Sequence, residues 1–153
     1  MIELASYRAE HHSRFVELNR AWLLEHGLLE HADQEQLDDP IAHFIAPGGA
    51  IFVALHGDQV VGTAAVVPHG PGEWEVAKLA VDPAYRGHGI GTRLVERCIA
   101  AARAGGARWL TLVSSHKLGA AVALYRRLGF VDRPRPANTY ATADVYMQLA
   151  LHP

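Results

Sequence analysis

The residues with the most chemistry to offer lie in the run Val81-Asp82-Pro83-Ala84-Tyr85-Arg86-Gly87-His88-Gly89-Ile90-Gly91-Thr92. Glycines let a backbone come close to an anion, and Arg86 adds a positive charge. A helix starting at Ile90 would aim its first free N–H groups at the same spot, with the positive end of its dipole behind them. The chemistry these residue types suggest is the gripping of a phosphorylated ligand.

A strand and a helix must hold that turn in place. Val76 to Val81 is an apolar, strand-like run stopped by Asp82-Pro83. Ile90 to Ala104 has helical spacing: Ile90, Leu94, Val95, Cys98, Ile99 and Ala102 share one face, Arg93, Glu96, Arg97 and Arg103 the other, and Gly105-Gly106 ends it.

The rest of the chain follows the same logic. Ile2 to Tyr7 reads as a first strand, and Ser13 as the N-cap of a helix carrying Phe15, Leu18 and Trp22, stopped at Gly27. A second, more acidic helical stretch covers Ala32 to Ile45 and is interrupted at Pro40. Ala50 to Leu55 and Gln59 to Val67 form a hairpin about His56-Gly57-Asp58, and Trp74 to Val81 returns antiparallel. Beyond the central helix come a strand (Trp109 to Val113), a helix (Gly119 to Leu128), a strand from Phe130, a proline loop (Arg133 to Ala137) and a last strand (Ala143 to Leu151). This order implies an α/β (α+β) class, with a mixed, mostly antiparallel sheet of about seven strands flanked by about four helices. With no repeat or linker, residues 1–153 are expected to form one domain.

Composition narrows the function classes. Fourteen Lys+Arg against sixteen Asp+Glu give a net charge of −2, so no basic surface for nucleic acid and no polybasic patch for a membrane is expected. The start Met1-Ile2-Glu3-Leu4 lacks signal-peptide character and no apolar run could span a bilayer, so a cytoplasmic protein is expected. Cys98, the single cysteine, reads as a small buried hydrophobe. Ten histidines are scattered without H-E-x-x-H or a Cys/His cluster, and no metal is expected. His11-His12 reads as a solvated pair, His88 as a phosphate neighbour or a plain loop residue, and Trp22, Trp74 and Trp109 as core or pocket walls.

Three ligands commonly sit on glycine turns. A nucleoside-triphosphate loop needs a lysine before its Ser/Thr, and Gly91-Thr92 has none. A dinucleotide fingerprint needs its third glycine one place later, on a strand-first parallel scaffold. The third ligand is coenzyme A. Here the chain resembles the GCN5-related N-acetyltransferase superfamily: Arg86-Gly87-His88-Gly89-Ile90-Gly91 fills its Arg/Gln-x-x-Gly-x-Gly/Ala signature. Leu79-Ala80-Val81-Asp82-Pro83 is similar to the family's fourth strand and exit, and Ala121 to Phe130 to its second motif.

The resemblance implies acetyl-CoA as co-substrate. Its pyrophosphate would rest on the amides of Gly87, His88, Gly89, Ile90, Gly91 and Thr92 beside Arg86, and its pantetheine arm along Leu79, Ala80 and Val81. It implies transfer to a primary amine by direct attack, the amine belonging to a small molecule or to a protein lysine or N-terminus. Tyr125 matches the family tyrosine that often protonates the leaving thiolate. Glu75, six residues before Val81 and expected on a face with Ala77, Leu79 and Val81, is the candidate base, with Glu73 or a water as alternatives. The acceptor is expected against residues 21–45 and 133–142, where Glu25, Glu30, Asp33, Glu35, Asp38 and Asp39 lie. Leu118 departs from the family asparagine that contacts the cofactor, and Ser114, Ser115 and His116 are candidate substitutes. A non-catalytic acyl-CoA sensor, or a transferase of another acyl group, is the alternative, and the presence of both Tyr125 and Glu75 favours the enzyme. The apolar run Val145 to Leu151 permits a homodimer.

Overall fold

The computed structural model describes residues 1–134 and 143–151. Seven strands form one sheet in the order β1-β2-β3-β4-β5-β7-β6. Strands β1 (Ile2–Ser6), β2 (Ala50–His56), β3 (Gln59–Pro68) and β4 (Glu73–Val81) make an antiparallel meander. Strand β4 pairs in parallel with β5 (Trp109–Ser114), and β7 (Val145–Ala150) runs antiparallel between β5 and the short β6 (Val131–Asp132). The mixed, mostly antiparallel sheet read from the element order is the one observed.

Helices cover both faces. α3 (Ile90–Ala104) and α4 (Gly119–Arg127) lie on one side, where Leu94, Val95, Cys98, Ala121 and Tyr125 pack against Val61, Val66, Val76, Leu110 and Met147. On the other side are α1 (His12–Glu25), α2 (His31–Asp38) and a π turn (Ile41–Ile45), which pack Phe15, Leu37 and Phe44 on Ile51 and Ala65. A strand with helices on both faces needs apolar side chains on both, and β3 is accordingly buried without a break from Val60 to Val66.

Some local expectations change. The hairpin turn is the two-residue Gly57-Asp58, since His56 already pairs with Gln59. Helix α1 starts at His12, so Ser13 lies inside it and is not its cap; a 3₁₀ turn (Ala9–His11) leads in. His11 is buried there rather than solvated, its Nδ1 accepting the Arg8 N–H at 2.9 Å, while His12 bonds the Tyr7 hydroxyl at 3.0 Å. Trp109 is 39% exposed near one sheet edge and is no core wall. Pro40 does divide the second helical stretch, into α2 and the π turn.

Strand β4 carries a bulge. Thr63 pairs with Ala80 and Ala65 with Ala77, so β4 has one residue more than β3 between the two rungs. At the bulge Lys78 has φ +57°, and its carbonyl accepts the Thr63 hydroxyl at 2.8 Å. The extra residue reverses the alternation of the strand. Glu75 therefore shares a face with Ala77 and Ala80, which pack on the α1–α2 side, and not with Leu79 and Val81, which pack on the α3–α4 side.

Candidate active site

β4 and β5 part company early. Their ladder consists of Glu73–Trp109, Trp74–Leu110 and Glu75–Thr111, although β4 continues to Val81 and β5 to Ser114. A parallel edge without its partner offers backbone N–H and C=O groups that an amide-bearing ligand can pair with. A cavity of about 860 Å³, large for a small-molecule site, opens into this wedge. Val76, Leu79, Val113, Leu118, Ala121 and Tyr125 line its apolar side; Asn19, Trp22, Asp33, Glu73, Glu75 and Lys78 line the other.

The glycine turn lies outside this cavity, at the surface beyond the end of β4. Gly87 and Gly89 have φ of +83° and +77°, values that side-chain-bearing residues avoid, and Gly89 is the N-cap of α3. Its carbonyl accepts the first intrahelical bond from Arg93 at 3.1 Å, leaving the N–H groups of Ile90, Gly91 and Thr92 free of helix partners. Gly91 is glycine for another reason: a Cβ there would stand 3.1 Å from Leu124 Cδ1, so it sets how closely α3 approaches α4. His88 braces the turn, its Nδ1–H shared between the carbonyls of Tyr85 (3.1 Å) and Arg86 (3.0 Å). The residues fit a pyrophosphate: three free amides, two left-handed glycines and a helix dipole converge on solvent-exposed backbone.

Arg86 faces α1. Its guanidinium lies 4.7 Å from the Trp22 ring centroid and 3.5 Å from Glu25 Oε1, and its Nε donates to Val81 O at 3.4 Å. The arginine thus links the turn to a residue of the cavity wall.

Glu75 and Tyr125 line one cavity from different elements, β4 and α4. Burial pushes the Glu75 carboxyl above its ordinary range and Glu73 adds to this, while His69 and Lys78 pull it back. Tyr125 is buried, edge-on to Phe130 at 5.7 Å, and burial raises its phenol well above the ordinary value, with Cys98 adding a little. The arrangement offers a desolvated carboxylate able to take a proton and a firmly protonated phenol able to give one. Glu73, the second candidate base, lines the same cavity.

The acids of residues 21–45 mostly face elsewhere. Glu25 pairs with Arg86, Glu35 with His31 at 2.9 Å, Asp38 accepts from Gln34 at 2.8 Å, and Asp39 accepts the Ala42 N–H at 3.2 Å. Asp33 alone among them lines the cavity, and it is taken by Lys78 at 2.6 Å. Glu73 and Glu75 are the other carboxylates that line the cavity. Most of the expected second acceptor segment, residues 135–142, lies outside the described residues. Ser114 and Ser115 line the cavity beside Leu118, whereas His116 is turned away to Asp144.

Sequence reasoning named Asp33 among the acceptor-side acids but missed Lys78 and Tyr146 as cavity residues. A lysine inside the otherwise apolar run Val76 to Val81, on a strand covered on both faces, was the signal for the first.

The acetyltransferase (GNAT) family model matches residues 9–130. N-alpha-acetyltransferase RimI of Mycobacterium tuberculosis is 37% identical over 120 residues, covering 75% of this chain and 70% of the relative. N-alpha-acetyltransferase MAK3 of Arabidopsis thaliana is 32% identical over 149 residues, covering 91% and 71%. Among solved structures, a GNAT-family acetyltransferase from Staphylococcus aureus superposes with a TM-score of 0.92 at 19% identity, covering 99% of this chain and all of that one, which is a likeness of fold.

Proposed function

As a member of the acetyltransferase (GNAT) family the chain is an acetyl-CoA-dependent acetyltransferase, and on that premise we propose that it acetylates a primary amine directly, with Glu75 as base and Tyr125 as acid. The observation that carries this reading is the placement of both groups on the wall of one cavity, where β4 and β5 separate. Acetyl-CoA supplies an activated acyl group and a good leaving thiol. The chain supplies the rest. The amides of Gly87 to Thr92, with Arg86 beside them, hold the pyrophosphate. The edge of β4 from Leu79 through Ala80 to Val81, beyond the last β5 rung at Glu75, pairs with the pantetheine amides.

An ammonium cannot attack, so the acceptor must lose a proton to Glu75, directly or through a water. Glu73 and Glu75 together draw a cationic amine to that wall. The neutral nitrogen attacks the acetyl carbon, and the C–S bond breaks as the C–N bond is kept. The sulfur takes the Tyr125 hydroxyl proton, and the proton shed by the new amide nitrogen returns to Tyr125 by way of water. A thiol pKa of about 8.5 makes that help modest, and an α-amine at about 7.7–8.0 asks less of the base than a lysine at about 10.4. RimI and MAK3 are both N-alpha-acetyltransferases, which makes a peptide N-terminus the first acceptor to try.

The test is thiol release from acetyl-CoA across a panel of peptide α-amines, lysine amines, amino acids and polyamines. Turnover dependent on one amine class supports the reading. Tight binding of acetyl-CoA with no release on any amine would make the chain a sensor.

A further inference from the structure

Lys78 is the one non-glycine among the described residues with a left-handed backbone, and it is the added residue of the β4 bulge. Its side chain is 5% exposed and its ammonium bonds Asp33 Oδ1 of α2 at 2.6 Å, with the Asp33 side chain 3% exposed. Asp33 Oδ2 is fixed in turn by the Glu30 N–H at 3.0 Å. Two unfavourable features, a strained φ and a desolvated charge, meet at a side chain that lines the acceptor half of the cavity. A strand that only had to bend could place an apolar residue or a glycine at the bulge. An ammonium is needed only if its charge is used.

Glu75, three residues back, lies on the same α1–α2 side of the strand and lines the same cavity as Lys78. The surroundings of that carboxylate are otherwise mixed. His69 and Glu73 approach along β4 and the loop before it, Tyr146 from β7, and Thr111 opposes it on β5. His43 of the π turn and Asp33 of α2 line the same cavity. Of these, Lys78 and Asp33 hold each other in place through their ion pair at 2.6 Å.

We propose that Lys78, locked at the bulge by Asp33, is a positioning residue for the reaction: its fixed ammonium sets the electrostatic field in which Glu75 meets the incoming amine. The inference rests on the reading of Glu75 as base. Lys78 touches neither co-substrate and acts through Glu75. The bulge supplies the direction, and Asp33 holds the long side chain still.

The experiment is the pH profile of kcat/KM for the full chain and four variants: Lys78→Met, Lys78→Arg, Glu75→Gln, and Lys78→Met combined with Asp33→Leu. Removing this positive charge moves the acidic limb of Lys78→Met upward by about one pH unit, the effect of a unit charge about 12 Å away at an effective dielectric of about 20. Lys78→Arg keeps the limb near its wild-type position. The double variant leaves neither partner buried alone, so it keeps the fold where Lys78→Met strands a buried Asp33. Its limb also moves up because Lys78, and not Asp33, is among the charges that act on Glu75. Melting curves confirm the fold of each. An acidic limb that disappears in Glu75→Gln but stays at its wild-type pH in the folded double variant overturns the role of Lys78 and leaves Glu75 as base. A limb that persists in Glu75→Gln overturns both.

Discussion

Glu75 stands opposite Thr111 at the last rung of the β4–β5 ladder, so the half-buried carboxylate sits where the sheet opens. Thr111 closes that rung with a second contact, its hydroxyl donating to Trp74 O at 3.3 Å. Below the rung the sheet is continuous and rigid; above it the strands separate around the cavity. A proton acceptor at such a point is held by ordered backbone yet reaches the ligand space.

Glu75→Gln tests the base. Burial keeps the wild-type carboxyl above its ordinary value of 4.5, so the acidic limb of kcat/KM is expected above the usual carboxylate range. The variant should lose that limb and about 10²–10⁴-fold in kcat/KM at neutral pH. Stability moves the other way. A carboxyl whose pKa is higher folded than unfolded penalises the fold above its unfolded pKa, and the penalty fades as pH falls through the unfolded value. Glu75→Gln should therefore melt above wild type at pH 7 and converge with it in acid.

Tyr125→Phe removes one hydroxyl from a packed ring and leaves the Phe130 contact in place. Because coenzyme A is a fair leaving group, kcat should fall by roughly ten- to a hundred-fold rather than more. The KM for acetyl-CoA should stay within about twofold, since proton donation is a transition-state contribution. Steady-state kinetics with both substrates varied measure this, and an unchanged kcat would remove Tyr125 from the acid role.

Two alanines separate the two duties of the glycine turn. Gly89→Ala forces a side-chain-bearing residue to φ +77°, at about 1–2 kcal/mol, and re-aims the amides ahead of α3. Its KM for acetyl-CoA should rise about tenfold or more, since a lost charge-assisted bond is worth roughly 1.5–3 kcal/mol. Gly91→Ala meets only the flexible end of Leu124, so it should cost under about 1 kcal/mol and change the acetyl-CoA KM less. Equal effects on KM would place the pyrophosphate elsewhere.

Helix α3 was legible to the residue, from Ile90 to Ala104, because its apolar stripe has helical period and glycines bound it. The mixed sheet followed from loop lengths. The bulge was not legible. Val76, Ala77, Leu79, Ala80 and Val81 are apolar on both faces, so an inserted residue leaves no break in alternation, and two of the three neighbours expected for Glu75, Leu79 and Val81, lie on the opposite face. The partner of Lys78 lies 45 residues away on another element, a relation no local pattern carries. Glu75 was singled out as an acid in the strand leading to the glycine turn, and it lines the cavity although its face was misread.

Asp82, at the exit of β4, offers a test of what fixes the site to α1. Its Oδ1 accepts the Ala84 N–H at 2.9 Å, capping the 3₁₀ turn that leads to the glycines, and its Oδ2 bonds Arg14 Nη2 at 2.8 Å. Arg14 also donates to Val60 O at 2.9 Å, so one guanidinium joins α1, β3 and the turn. The Ala84 N–H, and after it Arg14, hold the Asp82 carboxyl below its ordinary value. A carboxyl with a depressed folded pKa stabilises above its unfolded pKa of about 3.9, and that contribution is lost as pH falls through the folded pKa. Asn keeps an acceptor for the cap but loses the charge, so Asp82→Asn should cost roughly 0.5–1 kcal/mol at pH 7. Asp82→Ala loses both contacts and should cost about 1–2 kcal/mol. Urea titrations at pH 7 and pH 3 decide: the gap between wild type and Asp82→Asn should narrow in acid, and a gap that stays constant would show that the charge contributes nothing.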